Sequence, residues 1–302
     1  MNPFWSGISF AVLTGICWAT LAIGLKYALH FTSTGSIVWF RMIVAFSTLC
    51  AAYVFRRPEA IKTVFLRPPL RVVIAGLFLS CNYYAYMKGL ELTSASNAQV
   101  MIQLGPLTLL FMGVFYFKET LHWKQWIGIA VASVGFIFYN WDQLLVSLKN
   151  SDLYVTGNLW IIFASVTWAI FAALQKLQLT RGWSPQMINL LVYFICALAL
   201  TPLAQFREFD HLSLWQWTVL VALGLNTVIA YGALGEAFSR IPASYVSLII
   251  AVNPLLTILL VGLITQNGLT FISPEPMMWR GYLGAGFVVA GVGAAISLRP
   301  RR

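Results

Sequence analysis

The sequence predicts an all-α integral membrane protein whose ten transmembrane helices form two inverted repeats of five helices each. Three observations lead to this fold class. The composition is strongly apolar, ten apolar runs are long enough to cross a bilayer, and the first half of the chain recurs in the second at an offset close to 150 residues.

The composition excludes an ordinary soluble domain. The chain has 302 residues, of which 60% are hydrophobic and 9% are charged, whereas soluble proteins carry about 25% charged residues. A soluble fold of this size would lack enough polar side chains to cover its surface. We therefore expect most of this chain to lie in a lipid bilayer.

Ten continuous apolar runs approach the length of about 20 residues that a helix needs to cross the hydrocarbon layer. A transmembrane barrel would instead show alternating segments of about ten residues. The predicted spans are 7–29, 33–55, 70–92, 95–117, 122–140, 154–178, 185–203, 213–238, 243–265 and 279–298.

The distribution of basic residues predicts the orientation. With a cytoplasmic N-terminus, thirteen basic residues lie on the inner side and five on the outer side. The inner set is Arg56, Arg57, Lys62, Arg67, Arg71, Lys118, Lys124, Lys176, Arg181, Arg240, Arg299, Arg301 and Arg302, and the outer set is Lys26, Lys88, Lys149, Arg207 and Arg280. This bias predicts a multi-pass protein of the inner (cytoplasmic) membrane with both termini in the cytoplasm. The net charge of +10 then serves orientation and contact with anionic lipid headgroups, so we expect a lipid bilayer and no nucleic acid as partner.

An internal repeat divides the chain into residues 1–150 and 151–302. The matched pairs are Gly7 and Gly157, Trp18 and Trp168, Lys26 and Lys176, Gly76 and Gly224, Tyr83 and Tyr231, Ser96 and Ser244, Pro106 and Pro254, Gly128 and Gly284, and Gly135 and Gly291. Because each unit has an odd number of spans, the two copies enter the membrane from opposite sides. Inverted repeats of this kind are typical of secondary transporters, whose substrate site lies near the midplane between the halves.

The repeated stretches also resemble a known family. Gly89–Ser96 leading to Pro106, followed by Lys118–Leu121, is similar to the first-half signature of the EamA-type transporters of the drug/metabolite transporter superfamily. Ala237–Ser244 leading to Pro254 repeats the pattern. The resemblance implies ten spans in a 5+5 arrangement, a central cavity, and transport of a small metabolite, most often export.

Three further positions bear on this resemblance. Trp18-Ala19 resembles the Trp-Gly of the family's first span, and Arg41 resembles the arginine common in its second span. Asn267 stands where the family usually has glutamate, so the second copy departs from the pattern there.

The stretch 96–106, SNAQVMIQLGP, is unusually polar for a membrane span. Gln99 and Gln103 are four residues apart and share one helix face. Pro106 removes a backbone hydrogen bond and should loosen the helix near Gln103. We expect this segment to line a cavity and to bend, although amides in membranes also join helices without forming a site.

Arg41 lies eight residues into its span, roughly 12 Å deep at about 1.5 Å per residue. A charge at such depth indicates a functional site, or else an arginine that ties helix ends together through backbone carbonyls. Lys26 and Lys176 lie near span ends and are expected to extend toward the interface.

Aromatic walls around a few amides are typical of small-molecule sites, although aromatic residues also fill membrane cores and belts. The predicted substrate-binding residues are Trp18, Arg41, Asn82, Tyr86, Gln99, Gln103, Trp168 and Tyr231, and the predicted hinges are Pro106 and Pro254. Asn189, Asn226 and Asn253 are weaker candidates.

These features predict a secondary transporter, in the export direction, for a small metabolite that carries a carboxylate, such as an amino acid or an aromatic acid. No acidic residue falls at the predicted midplane, which favours downhill movement or exchange over proton coupling. We expect a monomer or weak homodimer with no cofactor and no metal site.

Two other classes of membrane protein are alternatives to a transporter. An enzyme would need a nucleophile with a base, paired carboxylates or metal ligands, and none of these motifs is present. A membrane channel or lipid scramblase would share the spans but lack saturable carrier kinetics, and the sequence leaves this alternative open.

Overall fold

The computed structural model describes residues 3–56, 61, 64–149, 152–266 and 279–297, and within these ranges regular structure is helical throughout, without strands. The helices are α1 (Pro3–Ala28), α2 (Thr34–Arg56), α3 (Leu70–Leu92), α4 (Ala95–Met101), α5 (Leu104–Phe115), α6 (Trp123–Lys149), α7 (Asp152–Leu179), α8 (Pro185–Leu200), α9 (Leu214–Arg240), α10 (Ala243–Ile250), α11 (Asn253–Gln266) and α12 (Trp279–Ser297). Two short 3₁₀ turns, Thr201–Leu203 and Phe206–His211, join α8 to α9.

The all-α membrane class is confirmed. Eight helical stretches in the described ranges are long and apolar enough to cross a bilayer, and Trp123–Phe138 is a shorter apolar helix. The predicted span 70–92 coincides with α3 at both ends. The predicted span 279–298 matches α12 within one residue. The predicted span 122–140 begins with α6, which continues to Lys149. The count of ten spans and their inverted arrangement stay predictions.

The predicted fourth and ninth spans are each broken near the middle. Gln103 N–H donates to Val100 at 3.2 Å and Gly105 N–H to the carbonyl of Ile102 at 2.9 Å, which are tight i→i+3 bonds in place of helical ones. The cause is Pro106, which has no N–H to give the carbonyl of Ile102. The predicted loosening near Gln103 is thus confirmed, and a second break before Pro254 separates α10 from α11.

Glycines allow α6 and α12 to pack closely. A Cβ on Gly135 would lie 2.6 Å from the backbone nitrogen of Val288, and one on Gly291 would lie 2.4 Å from the nitrogen of Ala132. Any side chain at these positions would push the helices apart. The small residues of these two spans therefore form a packing surface, as expected for helix pairs in membranes.

Lys26 and Lys176 each bind the carbonyl end of a neighbouring helix. Lys26 Nζ donates to the carbonyls of Leu90 and Thr93 at 2.8 and 2.7 Å, at the end of α3. Lys176 Nζ makes the matching bonds at the end of α9, to Phe238 at 2.6 Å and to Ile241 at 3.0 Å. The last carbonyls of a helix have no partner within it, and a cation there is favoured by the helix dipole. Each lysine therefore joins the first helix of its half to the third.

Candidate substrate-binding cavity

A central cavity lies where the two helix breaks face each other. The space free of protein atoms is about 610 Å³, including the solvent at its mouth, which is within the range of small-molecule sites. Its walls come from α1, α2, α3, α7, α9 and the two breaks. The lining residues are Trp18, Leu21, Arg41, Asn82, Tyr83, Tyr86, Gln99, Ile102, Gln103, Pro106, Trp168, Tyr231, Ile250 and Asn253.

All eight predicted substrate-binding residues lie on this cavity. Of the two predicted hinges, Pro106 also lines it, whereas Pro254 is buried beside Asn253 and does not. The predicted site did not include Leu21, Tyr83, Ile102 and Ile250, which also line the cavity, and Asn253 was only a weaker candidate.

Among the described residues, Arg41 is the only charged one in the cavity wall, and it is 2% exposed. Its Nε and Nη2 donate to the hydroxyl oxygen of Thr227 at 3.3 and 3.1 Å. Its guanidinium carbon lies 4.7 Å from the centre of the Tyr83 ring, a cation–π contact. Arg41 therefore does not tie helix ends together through backbone carbonyls, which was the alternative from the sequence.

No acidic side chain forms an ion pair with Arg41 among the residues that the structure describes. A buried cation without a counter-charge is costly unless an anion joins it. The guanidinium has five N–H donors in a planar fork suited to a carboxylate, and Thr227 engages only Nε and Nη2. The cavity wall thus offers donors to an anionic group.

Aromatic rings form a continuous part of the cavity wall. Trp18 and Trp168, the repeat partners, meet edge to face with centroids 5.7 Å apart. Tyr231 contacts Trp18 at 5.6 Å and Tyr83 at 6.0 Å. The rings come from both halves of the chain, so they supply a rigid apolar surface at the boundary between the halves.

Two of the predicted amides also hold helices together. Gln99 donates to the carbonyl of Trp18 at 3.0 Å and accepts from Asn253 at 3.3 Å. Asn82 donates to the carbonyl of Ala164 at 2.8 Å. The bonds to Asn253 and Ala164 join the first half to the second, whereas the bond to Trp18 joins two helices of the first half. Gln99 and Asn82 therefore have a structural role in addition to their place on the cavity.

Gln103 differs from these amides. It is 3% exposed, and its Oε1 has no hydrogen-bond partner, as is also true of Asn253 Oδ1. A buried acceptor without a partner costs about 1–3 kcal/mol. Both oxygens belong to residues that line the cavity.

The polar groups come mainly from the first half. At the offset of 148 residues, Asn82 corresponds to Ala230, Gln99 to Ser247 and Gln103 to Ala251. Neither Ala230 nor Ala251 can form a side-chain hydrogen bond. The positions matched by sequence therefore differ in the chemistry that they bring to the cavity.

The other predicted amides join helices and do not line the cavity. Asn97 donates to Asn158 at 2.6 Å, Asn189 donates to the carbonyl of Tyr231 at 3.0 Å, and Asn226 donates to that of Cys17 at 3.1 Å. Asn253 was a weak candidate and is the one that reaches the cavity. Its position directly before Pro254 is the signal that would have ranked it higher.

The described acids near the predicted span ends serve the helix ends. Glu119 accepts the N–H groups of Ala243 and Ser244, at 2.8 and 3.0 Å, at the start of α10. Glu208 accepts from Ser33 at the start of α2, and Glu236 pairs with Arg240. None of these carboxylates lines the cavity. Asn267, where the family pattern has glutamate, lies outside the described residues.

Relatives of this chain are transporters by name. YhbE, an uncharacterised inner membrane transporter of Escherichia coli (strain K12), is 34% identical over 290 residues, which cover 94% of this chain and 89% of the relative. An uncharacterised transporter of Haemophilus influenzae is 31% identical, with coverages of 94% and 92%. A probable amino-acid metabolite efflux pump of Escherichia coli (strain K12) is 23% identical, with coverages of 93% and 92%.

A comparison of folds and a match to a family model both agree with the sequence similarity to transporters. A solved crystal structure superposes with a TM-score of 0.72 over 99% of this chain and 100% of its own, at 18% identity, and so shares the fold. The model of the EamA-like transporter family matches twice, at residues 5–141 and 155–296. Together these two matches cover nearly the whole sequence, and the chain therefore belongs to the EamA-like transporter family.

Proposed function

We propose that this protein is a secondary transporter of the inner membrane that exports a small carboxylate-bearing metabolite, such as an amino acid or an aromatic acid. The observation that carries the proposal is Arg41, a buried cation on a central cavity without an acidic partner among the described residues. The names of the relatives support membrane transport, and one of them is a probable amino-acid metabolite efflux pump.

The proposal includes ten spans in two inverted halves, with both termini in the cytoplasm. Three pairs of matching features support the repeat. The family model matches once in each half, Lys26 and Lys176 make the same pair of bonds, and a helix break precedes both Pro106 and Pro254. The substrate would then be exposed to each side in turn as the halves rock around these breaks.

The chemistry of the cavity favours a particular substrate. Arg41 would receive the carboxylate through charge-assisted hydrogen bonds. The unpartnered oxygens of Gln103 and Asn253 would accept from an ammonium or hydroxyl group. The aromatic wall of Trp18, Trp168 and Tyr231 would contact an apolar side chain. A lone organic cation would meet Arg41 with no carboxylate in the cavity wall to offset it.

Binding tests this assignment directly. The purified protein is heated with L-phenylalanine, with L-phenylalaninamide, which lacks the carboxylate, or with phenethylamine. A ligand that binds the native state raises the melting temperature by mass action. We expect carboxylates to stabilise the protein and Arg41→Gln to abolish the effect, while Lys88→Gln, which removes a half-exposed charge outside the cavity, preserves it. Equal stabilisation by the amide and the acid would contradict the role of Arg41.

A counterflow assay in vesicles distinguishes a carrier from a channel or a lipid scramblase. Vesicles loaded with unlabelled substrate and diluted into a trace of labelled substrate should accumulate label transiently, because a carrier exchanges one molecule for another. A channel would equilibrate the label without overshoot, and a scramblase would instead move fluorescent lipid between leaflets. Absence of counterflow with a ligand that binds would refute the carrier.

A further inference from the structure

A second cavity lies behind the broken helices, on the far side of Pro106 from the central site. The space free of protein atoms is about 680 Å³, including the open region at its mouth, and its walls are α5, α6, α10 and α12. The lining residues are Pro106, Leu107, Leu110, Ile129, Ala132, Ser133, Phe136, Ile137, Ser247, Leu248, Ala251 and Val288. We call this space the lateral cavity.

The wall of the lateral cavity is almost entirely hydrocarbon. Among the described residues of this wall, only Ser133 and Ser247 have polar side chains. Ser133 Oγ already donates to the carbonyl of Ile129 in its own helix at 2.8 Å, and Ser247 Oγ is a single buried hydroxyl. A polar metabolite that entered would lose its hydration and gain almost no hydrogen bonds, at a cost of a few kcal/mol for each polar group. The lateral cavity therefore selects an apolar occupant.

The position of the lateral cavity indicates the source of that occupant. It reaches the break regions at Pro106 and Ala251, which lie deep within the predicted spans. Leu107 and Ile137, at 39% and 52% exposure, lie on its wall and on the outer surface of the bundle. In a bilayer, the molecules that surround this surface at this depth are lipid acyl chains.

We propose that an acyl chain of a bilayer phospholipid inserts into the lateral cavity and packs against Pro106 and Ala251. The chain would fill the gap between the broken helices and the α6–α12 pair, and would restore dispersion contacts that an empty space forfeits. Pro106 would then contact the lipid chain on one side and the substrate cavity on the other. Binding of the chain does not depend on the proposed transport function.

Photolabelling tests the insertion. The protein is reconstituted into vesicles of phosphatidylcholine whose acyl chains carry a diazirine at mid-chain, irradiated, and digested for mass spectrometry that locates each adduct. Leu110 and Leu248 are the informative positions, because they line the lateral cavity and are only 3% and 6% exposed. We expect adducts at both, since only a chain that has entered reaches them.

Filling variants make the test specific. Ser133→Leu and Ala132→Leu each add bulk inside the lateral cavity, so both should abolish adducts at Leu110 and Leu248. Val134→Phe adds bulk at a neighbouring residue that is 48% exposed and should leave the adducts unchanged. A monodisperse elution profile identifies variants that fold, and two filling variants are made so that one failure does not decide the result.

Two outcomes would overturn the proposal. One is labelling of exposed Val134 or Ile137 in the parent protein without adducts at Leu110 and Leu248. The other is persistence of these adducts in both filling variants. Neither outcome would affect the substrate-binding result, which is measured at Arg41 in detergent with soluble ligands.

Discussion

Arg41 of α2 rests on Thr227 of α9, with its Nε and Nη2 both within 3.3 Å of a single hydroxyl oxygen. Thr227 in turn donates to the carbonyl of Leu223 at 3.0 Å, which fixes the direction of its hydroxyl. The one charged group of the cavity is therefore positioned by the other half of the chain. This relationship predicts how the two residues can be separated by experiment.

Thr227→Val should keep the charge of Arg41 but remove the two hydrogen bonds that hold its guanidinium in place. A hydrogen bond to a charged group contributes about 1.5–3 kcal/mol, so the affinity for a carboxylate ligand should fall roughly tenfold. Thr227→Ser retains the oxygen and should bind normally. Titration of both variants by calorimetry is the measurement, and unchanged affinity in Thr227→Val would show that Arg41 needs no support from α9.

Gln99→Ala and Gln103→Ala should fail in different ways. Gln99 bonds to Trp18 and Asn253, so its loss leaves buried partners unsatisfied and should lower the free energy of unfolding by about 1–3 kcal/mol. Gln103 Oε1 has no partner among the described residues, so its loss breaks no hydrogen bond at that atom, should lower stability less than Gln99→Ala, and should weaken ligand binding. Thermal unfolding with and without ligand distinguishes the two, and an equal loss of stability would contradict the assignment.

Lys26→Met and Lys176→Met should each destabilise the protein, because each leaves two carbonyls at a helix end without a donor. We expect similar reductions in melting temperature for the two variants, since their bonds match. Lys88→Met serves as the control, because Lys88 is half-exposed and bonds only within its own turn, to Glu91. A variant as stable as the parent would mean that water replaces the lysine.

An imposed pH gradient should not drive accumulation of substrate. No described carboxylate lines the cavity, and Glu236 is held by Arg240 and Gln186 at the end of α9. Vesicles with equal substrate on both sides and a pH difference are the test. Uphill uptake that collapses with a protonophore and disappears in Glu236→Gln would establish proton coupling through that residue.

The orientation of the chain is open to direct labelling. In a background whose four cysteines are replaced by alanine, a cysteine at Lys149 should react only with a reagent outside the inner membrane. A cysteine at Arg181, in the predicted cytoplasmic connection between α7 and α8, should react only after the membrane is made permeable. The reverse pattern would invert the predicted topology.

Much of the fold and of the cavity was readable from the sequence. Long apolar runs must be helical in a bilayer, which is why the bounds of α3 were predicted to the residue, and a missing N–H at Pro106 predicts a break one turn earlier. Candidates were chosen by their depth in a predicted span and by their polar or aromatic character, and all eight line the cavity.

The rest depended on how helices are rotated against one another. Asn189, Asn226 and Asn253 look alike in the sequence, and only Asn253 faces the cavity while the other two bond to backbone carbonyls. The partners of Lys26 were not predicted, because the sequence does not reveal which helix end lies beside it. Thr227 was missed because its importance lies in a partner on another helix.

The uneven distribution of polar groups between the two halves affects how the substrate would be held during transport. Arg41, Asn82, Gln99 and Gln103 all belong to the first half, while the matching positions of the second half are mostly apolar or small. Under the proposed mechanism, a substrate bound through its carboxylate would stay attached to the first half while the second half moves relative to it. The substrate would then not need to reorient between binding on one side and release on the other. A duplicated gene would then let one copy evolve the choice of cargo while the other evolved the motion that releases it.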